Sequence, residues 1–219
     1  MENGKYLAIL ILMGGKSTRF GIEKAVIELF EKPLILHQIE TLRKFDNDIF
    51  LVAHSEEQIY DYRKQINFPE DITFIVDDRE VFNYPQFYKP MLGIYSGLKE
   101  LLRLNFKEVF LLSCDMPLIK SKVVEFMIKE SKDYDCCIPK WRNGFLEPFF
   151  AIYPVKKGFY KAKEILINEN YGLYDFIDSS WKINYVSVEK SIQPLDHNLV
   201  SLININGPID IAKLVNQFE

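Results

Sequence analysis

The sequence predicts an α/β protein built on a doubly wound, mostly parallel sheet with helices on both faces. Three observations lead there. Residues 7–13, LAILILM, are an unbroken apolar run, the mark of a strand covered on both sides. A second buried run of this kind returns at residues 109–112. Between and around them, strand-length and helix-period segments alternate, as crossover units of a parallel sheet require.

The elements follow in order. Pro33 stands where a helix begins, and Ile35, Ile39 and Leu42 then share one helical face. Residues 49–53 read as strand, 56–65 as helix and 72–76 as strand. Leu92, Tyr95, Leu98 and Leu102 mark the next helical face, followed by the strand at 109–112 and a helix over 121–132 entered at Ser121. Further strands are expected at 149–153, 183–188 and 200–205, with helices over 156–167 and 209–218. No repeat, linker or low-complexity stretch divides the chain, so its 219 residues are expected to form one domain, 1–219.

Composition narrows the function classes. With 48% apolar and 26% charged residues, the chain has the make-up of an ordinary globular protein. A net charge of −4 supplies no field toward nucleic acid or an anionic membrane, so neither is an expected partner. The first apolar run is far short of the ~20 residues that span a bilayer, and it lacks the basic start and cleavage site of a secretory signal. The cytoplasm is the expected compartment. Three cysteines (Cys114, Cys136 and Cys137) are an odd number without CxxC spacing, which supports neither a disulfide framework nor a zinc site. His37, His54 and His197 have no metal-ligand spacing.

In open α/β sheets, ligands sit outside the carboxyl ends of strands, where strand order switches. Three strand ends carry suitable residues: Gly14-Gly15, Asp77-Asp78 and Asp115. Glycines at the first let backbone N–H groups face an anion closely. Arg19 and Lys24 add a rigid guanidinium fork and a flexible ammonium, both suited to phosphate. Two familiar phosphate loops are excluded by counting. A P-loop ending in Gly15-Lys16-Ser17 needs glycine at position 10, where Leu10 stands, and the dinucleotide fingerprint from Gly14 needs glycine at Lys16. At the third strand end, Asp115 is a hard oxygen ligand of the kind Mg²⁺ prefers, with Pro117 halting the ladder.

Residues 14–24 resemble the nucleotidyltransferase signature Gly-Gly-x-Ser-x-Arg-[Met/Phe]-Gly-x-[Asp/Glu]-Lys, matched at Gly14, Gly15, Ser17, Arg19, Phe20, Gly21, Glu23 and Lys24. Cys114-Asp115-Met116-Pro117 is similar to a Cys-Asp-x-Pro segment, and residues 204–210, NINGPID, to Asn-Ile-Asn-Thr-Pro-Glu-Asp. Together these resemble the molybdenum cofactor guanylyltransferases. The resemblance implies a Rossmann-like nucleotidyltransferase fold and transfer of GMP from GTP to molybdopterin, with Mg²⁺ as cofactor and pyrophosphate as product. It implies catalytic roles for Arg19, Lys24 and Asp115, the last also holding the metal. Nucleotide contacts fall on Leu12, Met13, Gly14, Gly15, Lys24, His54, Asp115 and Asp78, with Asp77 as the alternate to Asp78. Asn204 and Asn206, expected on one side of a strand, map to the acceptor side, and Glu147–Ala151 to a segment beside it. Transient contact with molybdoenzymes or other cofactor-biosynthesis proteins fits the same family.

The chain also departs from the pattern. Lys89 replaces a glycine ahead of Pro90 and Gly93, residues 86–88 are an insertion, and Gly207 and Ile209 replace Thr and Glu. His54 stands where Asn is common, which bears on base recognition. Two alternatives stay open at this point: a cytidylyltransferase acting on molybdopterin or a related phosphomonoester, and a nucleotide-binding homologue without catalysis.

Overall fold

A strand whose residues are all apolar must give alternate side chains to two different cores, and the first strand does so. The computed structural model describes residues 6–13, 23–45, 48–79, 90–169 and 171–218. All six residues of β1 (Leu7–Leu12) are buried. Leu7, Ile9 and Ile11 enter a core shared with α1 (Leu34–Leu42), α2 (Glu56–Gln65) and α4 (Ser121–Glu130). Ala8, Leu10 and Leu12 enter the other, shared with α3 (Pro90–Arg103) and α5 (Val155–Ile167). The two-residue period of β1 thus sets helices on both faces.

Beside β1 lie β4 (Ile49–Ala53) on one side and β6 (Glu108–Ser113) on the other, both parallel to it. Outside β4 comes β5 (Thr73–Val76), again parallel. Beyond β6 lies β8 (Phe150–Pro154), antiparallel to it, then β7 (Cys136–Lys140), and finally β9 (Ile183–Ser187), parallel to β7. The chain therefore winds outward from β1 to β5, then returns to start again on the other side at β6. This reversal opens a crevice between the carboxyl ends of β1 and β6, where Leu12 pairs with Ser113.

Helix α3 lies close against β1 because position 97 has no side chain: a Cβ on Gly97 would sit 2.4 Å from a Leu10 methyl. A two-stranded hairpin, β2 (Glu28–Leu29) and β3 (Lys32–Pro33), follows the glycine-rich segment. The C-terminal helix α6 (Pro208–Phe218) packs Leu214 into a small third core with Ile27, Leu29, Leu34 and Ile205. That packing brings the end of the chain back to the crevice.

One expected element is absent. Residues 200–205 are not a strand but a short 3₁₀ turn, Val200–Leu202, followed by extended chain. The cause is local: the buried Asp196 carboxylate accepts the Ser201 N–H at 2.7 Å, and Leu199 adopts a left-handed φ of 51°. With that N–H taken, no ladder can start there. Cys136 and Cys137 lie in β7. Among the described residues no helix is long and apolar enough to cross a membrane.

Candidate active site

The turn after β6 carries Asp115. Its backbone carbonyl accepts the Ile205 N–H at 2.8 Å, so the segment leading into α6 is fastened to this turn. The Asp115 side chain, 12% exposed, receives the Lys24 ammonium at 2.8 Å on Oδ2. The same ammonium donates to Asn206 Oδ1 at 3.0 Å. Three residues spread over 182 positions thus meet at the crevice. Asn206 also leads into α6, where Asp210 Oδ2 accepts its N–H at 2.8 Å and that of Gly207 at 3.0 Å. Asn204 is half-buried two residues upstream, on extended chain rather than on the expected strand.

Lys24 opens a single 3₁₀ turn, Lys24–Val26, with Glu23 just before it. Gln58 of α2 donates to Glu23 Oε2 at 3.0 Å and to the Tyr62 hydroxyl at 2.8 Å. That hydroxyl lies 3.2 Å from both Glu23 Oε2 and the Met13 carbonyl. One buried Gln–Tyr pair on α2 therefore anchors both flanks of the glycine-rich segment. Gly14, Gly15 and Arg19 lie outside the described residues, as do Lys89 and residues 86–88.

A pocket of about 210 Å³ occupies the crevice. Leu12, Ser113, Lys24 and Asp115 form one part of its lining, and Val52, His54, Asp77, Pro90, Gly93 and Phe149 the rest. Leu12, Lys24, His54 and Asp115 were expected here; Met13 is fully buried beneath, its carbonyl facing Tyr62. Asp78 is not in this lining. Its backbone N–H donates to Ser96 Oγ and its carboxylate pairs with Lys99, in a separate shallow groove along β5 and α3. The pocket carboxylate is Asp77, the alternate. Strand period explains the exchange: Asp77 falls two residues after the buried Ile75 and shares its side of β5.

Asp77 Oδ1 and Asp115 Oδ1 are both buried with no hydrogen-bond partner among the described residues. Burial pushes the Asp77 carboxyl up to about 6, against the opposing pull of Arg79. Gly93 leaves room beside it, since a Cβ there would meet Leu12 at 3.3 Å and Asp77 Oδ1 at 3.5 Å. Phe149, inside the segment expected near the acceptor, lines the pocket. One contributor escaped the sequence reading. Gln38, buried on α1, holds the turn that bears Asp115; its signal was a lone amide on an otherwise apolar helical face.

Known proteins resemble this chain in sequence and in fold. The MobA-like NTP transferase domain matches residues 9–183. A protein of Thermococcus sibiricus named "probable molybdenum cofactor guanylyltransferase" is 32% identical over 209 residues, covering 94% of this chain and 95% of its own. One of the same name from Pyrococcus horikoshii is 31% identical, covering 94% and 97%. The solved molybdopterin-guanine dinucleotide biosynthesis protein A of Archaeoglobus fulgidus superposes with a TM-score of 0.77 at 24% identity, covering 97% of this chain and 100% of that one. The 4-diphosphocytidyl-2C-methyl-D-erythritol synthase of Anaerococcus prevotii shares the fold, with a TM-score of 0.69 at 16% identity and coverage of 99% and 97%. By domain match and by near-full-length identity, the chain belongs to the MobA-like NTP transferase family.

Proposed function

We propose that this protein, acting as one domain over residues 1–219, transfers GMP from GTP to molybdopterin with release of pyrophosphate and with Mg²⁺ as its metal. The carrying observation is the convergence of Lys24, Asp115 and Asn206 on one crevice. The names of the relatives point to guanylyl transfer and to the molybdenum cofactor.

The residues fit the metal. Asp115 has one oxygen shared with Lys24 and one buried oxygen without a partner among the described residues. No group of three or more His, Cys, Asp or Glu suited to a metal is found among those residues. A lone carboxylate suits an ion that takes its other ligands from phosphate and water. When bound, Mg²⁺ supplies Lewis-acid neutralisation of phosphate charge.

A phosphomonoester acceptor has a second pKa near ~6, so its attacking oxygen is already anionic at neutral pH and the chain need not remove a proton. What the chain must do is hold two anions in line and neutralise them. Lys24 serves the triphosphate, released from Asp115 as phosphate oxygens compete for its ammonium, with Arg19 as its partner cation. Asn206 and Asn204 serve the acceptor side. Asp77 reads the base: an ionised carboxylate accepts from the N1–H and N2–H₂ edge that guanine presents and adenine and cytosine lack. Such chemistry belongs in the cytoplasm, with handover of product to molybdoenzymes.

Thermal shift with each of GTP, CTP, ATP and UTP in Mg²⁺ tests the reading. GTP should give the largest rise in melting temperature, and Lys24→Ala should reduce kcat/KM for GTP about 10²-fold. A shift with CTP alone rejects guanylyl transfer, and nucleotide binding without pyrophosphate release in the presence of molybdopterin rejects catalysis.

A further inference from the structure

Helix α1 presents Leu34, Ile35, Gln38, Ile39 and Leu42 to the interior, and Gln38 is as completely buried as the rest. A buried amide in an apolar stripe needs partners, and Gln38 finds them on another element. Its Nε2 donates to the Ser113 carbonyl at 2.7 Å and to the Met116 carbonyl at 2.7 Å. Those carbonyls bracket Cys114-Asp115. Only the NH₂ end of a carboxamide carries two protons, so two acceptors dictate which way this amide points. Gln38 Oε1 is buried with no partner among the described residues. The amide is thus retained for what its donors hold, at the expense of its own acceptor.

Without Gln38, the turn would close on one long backbone bond, Met116 N–H to the Ser113 carbonyl at 3.3 Å. Ile205 fastens the Asp115 carbonyl from the C-terminal side. Gln38 and Ile205 together leave the Asp115 carboxylate only its own side-chain torsions. We propose that Gln38 is a positioning residue that fixes the turn from which Asp115 presents its carboxylate to the metal. This rests on the reading of Asp115 as metal-binding. Outer partners of a metal ligand typically govern about 10- to 100-fold in metal affinity, because a ligand displaced by a fraction of an ångström binds poorly.

The test compares GTP dissociation constants measured by calorimetry with Mn²⁺ and with EDTA, without acceptor, so that no turnover is needed. Their ratio isolates the metal's share of binding. In Gln38→Met the ratio should fall about tenfold with the EDTA value unchanged. Gln38→Glu adds a readout that a packing role would not move. Protonated, it donates only one of the two bonds, and ionised, it faces two carbonyls as an anion, so in either form the ratio should fall below the parent's, and further as pH rises from 6 to 8. Should Gln38→Met fail to fold, this pH profile decides alone. A wild-type ratio in every folded variant, at both pH values and whatever its melting temperature, overturns the proposal. Asp115→Asn is the reference: if it too keeps the full ratio, the metal reading has failed and the clamp with it, whereas loss there alone rejects only the clamp.

Discussion

The two ends of the parallel strands make an instructive pair. At the carboxyl ends lies the pocket of about 210 Å³ with Asp77, Asp115 and Lys24. At the amino ends lies a groove of about 790 Å³, lined by Tyr6, Arg43, Asp48, Asp71 and Phe106 among others. By size alone the second would be the site. Its charges, however, serve one another in open solvent: Arg43 meets Asp71 at 2.9 Å, with side chains 50% and 56% exposed. At the smaller pocket two carboxylate oxygens are buried without partners among the described residues. An unmet buried acceptor costs about 1–3 kcal/mol, more when charged, and two carboxylate oxygens of this kind on one pocket are a cost that a bound ligand can relieve. Unmet valence, not volume, separates the two ends.

The sharpest way to break this contrast is Asp115→Asn. The substitution keeps the shape and a hydrogen bond to Lys24 but removes the anion. Pyrophosphate release should fall about 10³-fold or more, the worth of several kcal/mol of charge stabilisation. The melting temperature should move by only a few degrees, because the hydrogen-bonded turn persists. Full turnover by this variant would put the chemistry elsewhere.

Part of this end was legible before any coordinates. Leu7–Leu12 and the run 109–112 are buried strand because their residues are apolar throughout, and a carboxylate just past the second lies at the carboxyl end of the sheet, where the crevice is. The partnership of Lys24 with Asn206 was not written in either segment. It depends on Leu214 of α6 packing against Ile27 and Leu29, a contact between chain ends that no local pattern encodes. Asp78 was preferred to Asp77 although the period of β5 favours the latter; a two-residue alternation through Ile75 was the available signal. The strand expected over 200–205 failed because apolar alternation says nothing of a buried Asp196 that captures a backbone N–H.

The next effect sharpens the contrast by pH. Asp77 is shifted from an ordinary 3.8 up to about 6 because burial penalises its anion. The folded state therefore holds this proton more tightly than the unfolded one. Relative to a neutral residue, Asp77 costs nothing below about pH 4, becomes progressively unfavourable as pH rises through 6, and stays so above. Asp77→Asn should stabilise the free protein at pH 7.5 by about 3 kcal/mol, and by well under about 1 kcal/mol at pH 4. Chemical denaturation at the two pH values measures this. The same variant should lose at least about tenfold of any preference for GTP over ATP and CTP, because the acceptor pair for the guanine edge is gone. Equal stabilisation at both pH values would mean that Asp77 is not held as a strained buried acid.

The smallest effect belongs to the other end of the strands. Arg43→Ala removes the pair with Asp71 and one wall of the large groove. Both side chains are half in water, so the pair contributes under about 1 kcal/mol, and salt screening at high ionic strength should erase even that difference. The kinetic constants for GTP should stay within about twofold of the parent, since the groove has no buried acceptor lacking a partner among the described residues to hand to a substrate. Parallel titrations of parent and variant at low and high salt decide the matter. A kcat or KM for GTP altered several-fold at both salt levels would show that the larger groove takes part in the reaction, and the contrast between the two ends of the sheet would no longer mark the site.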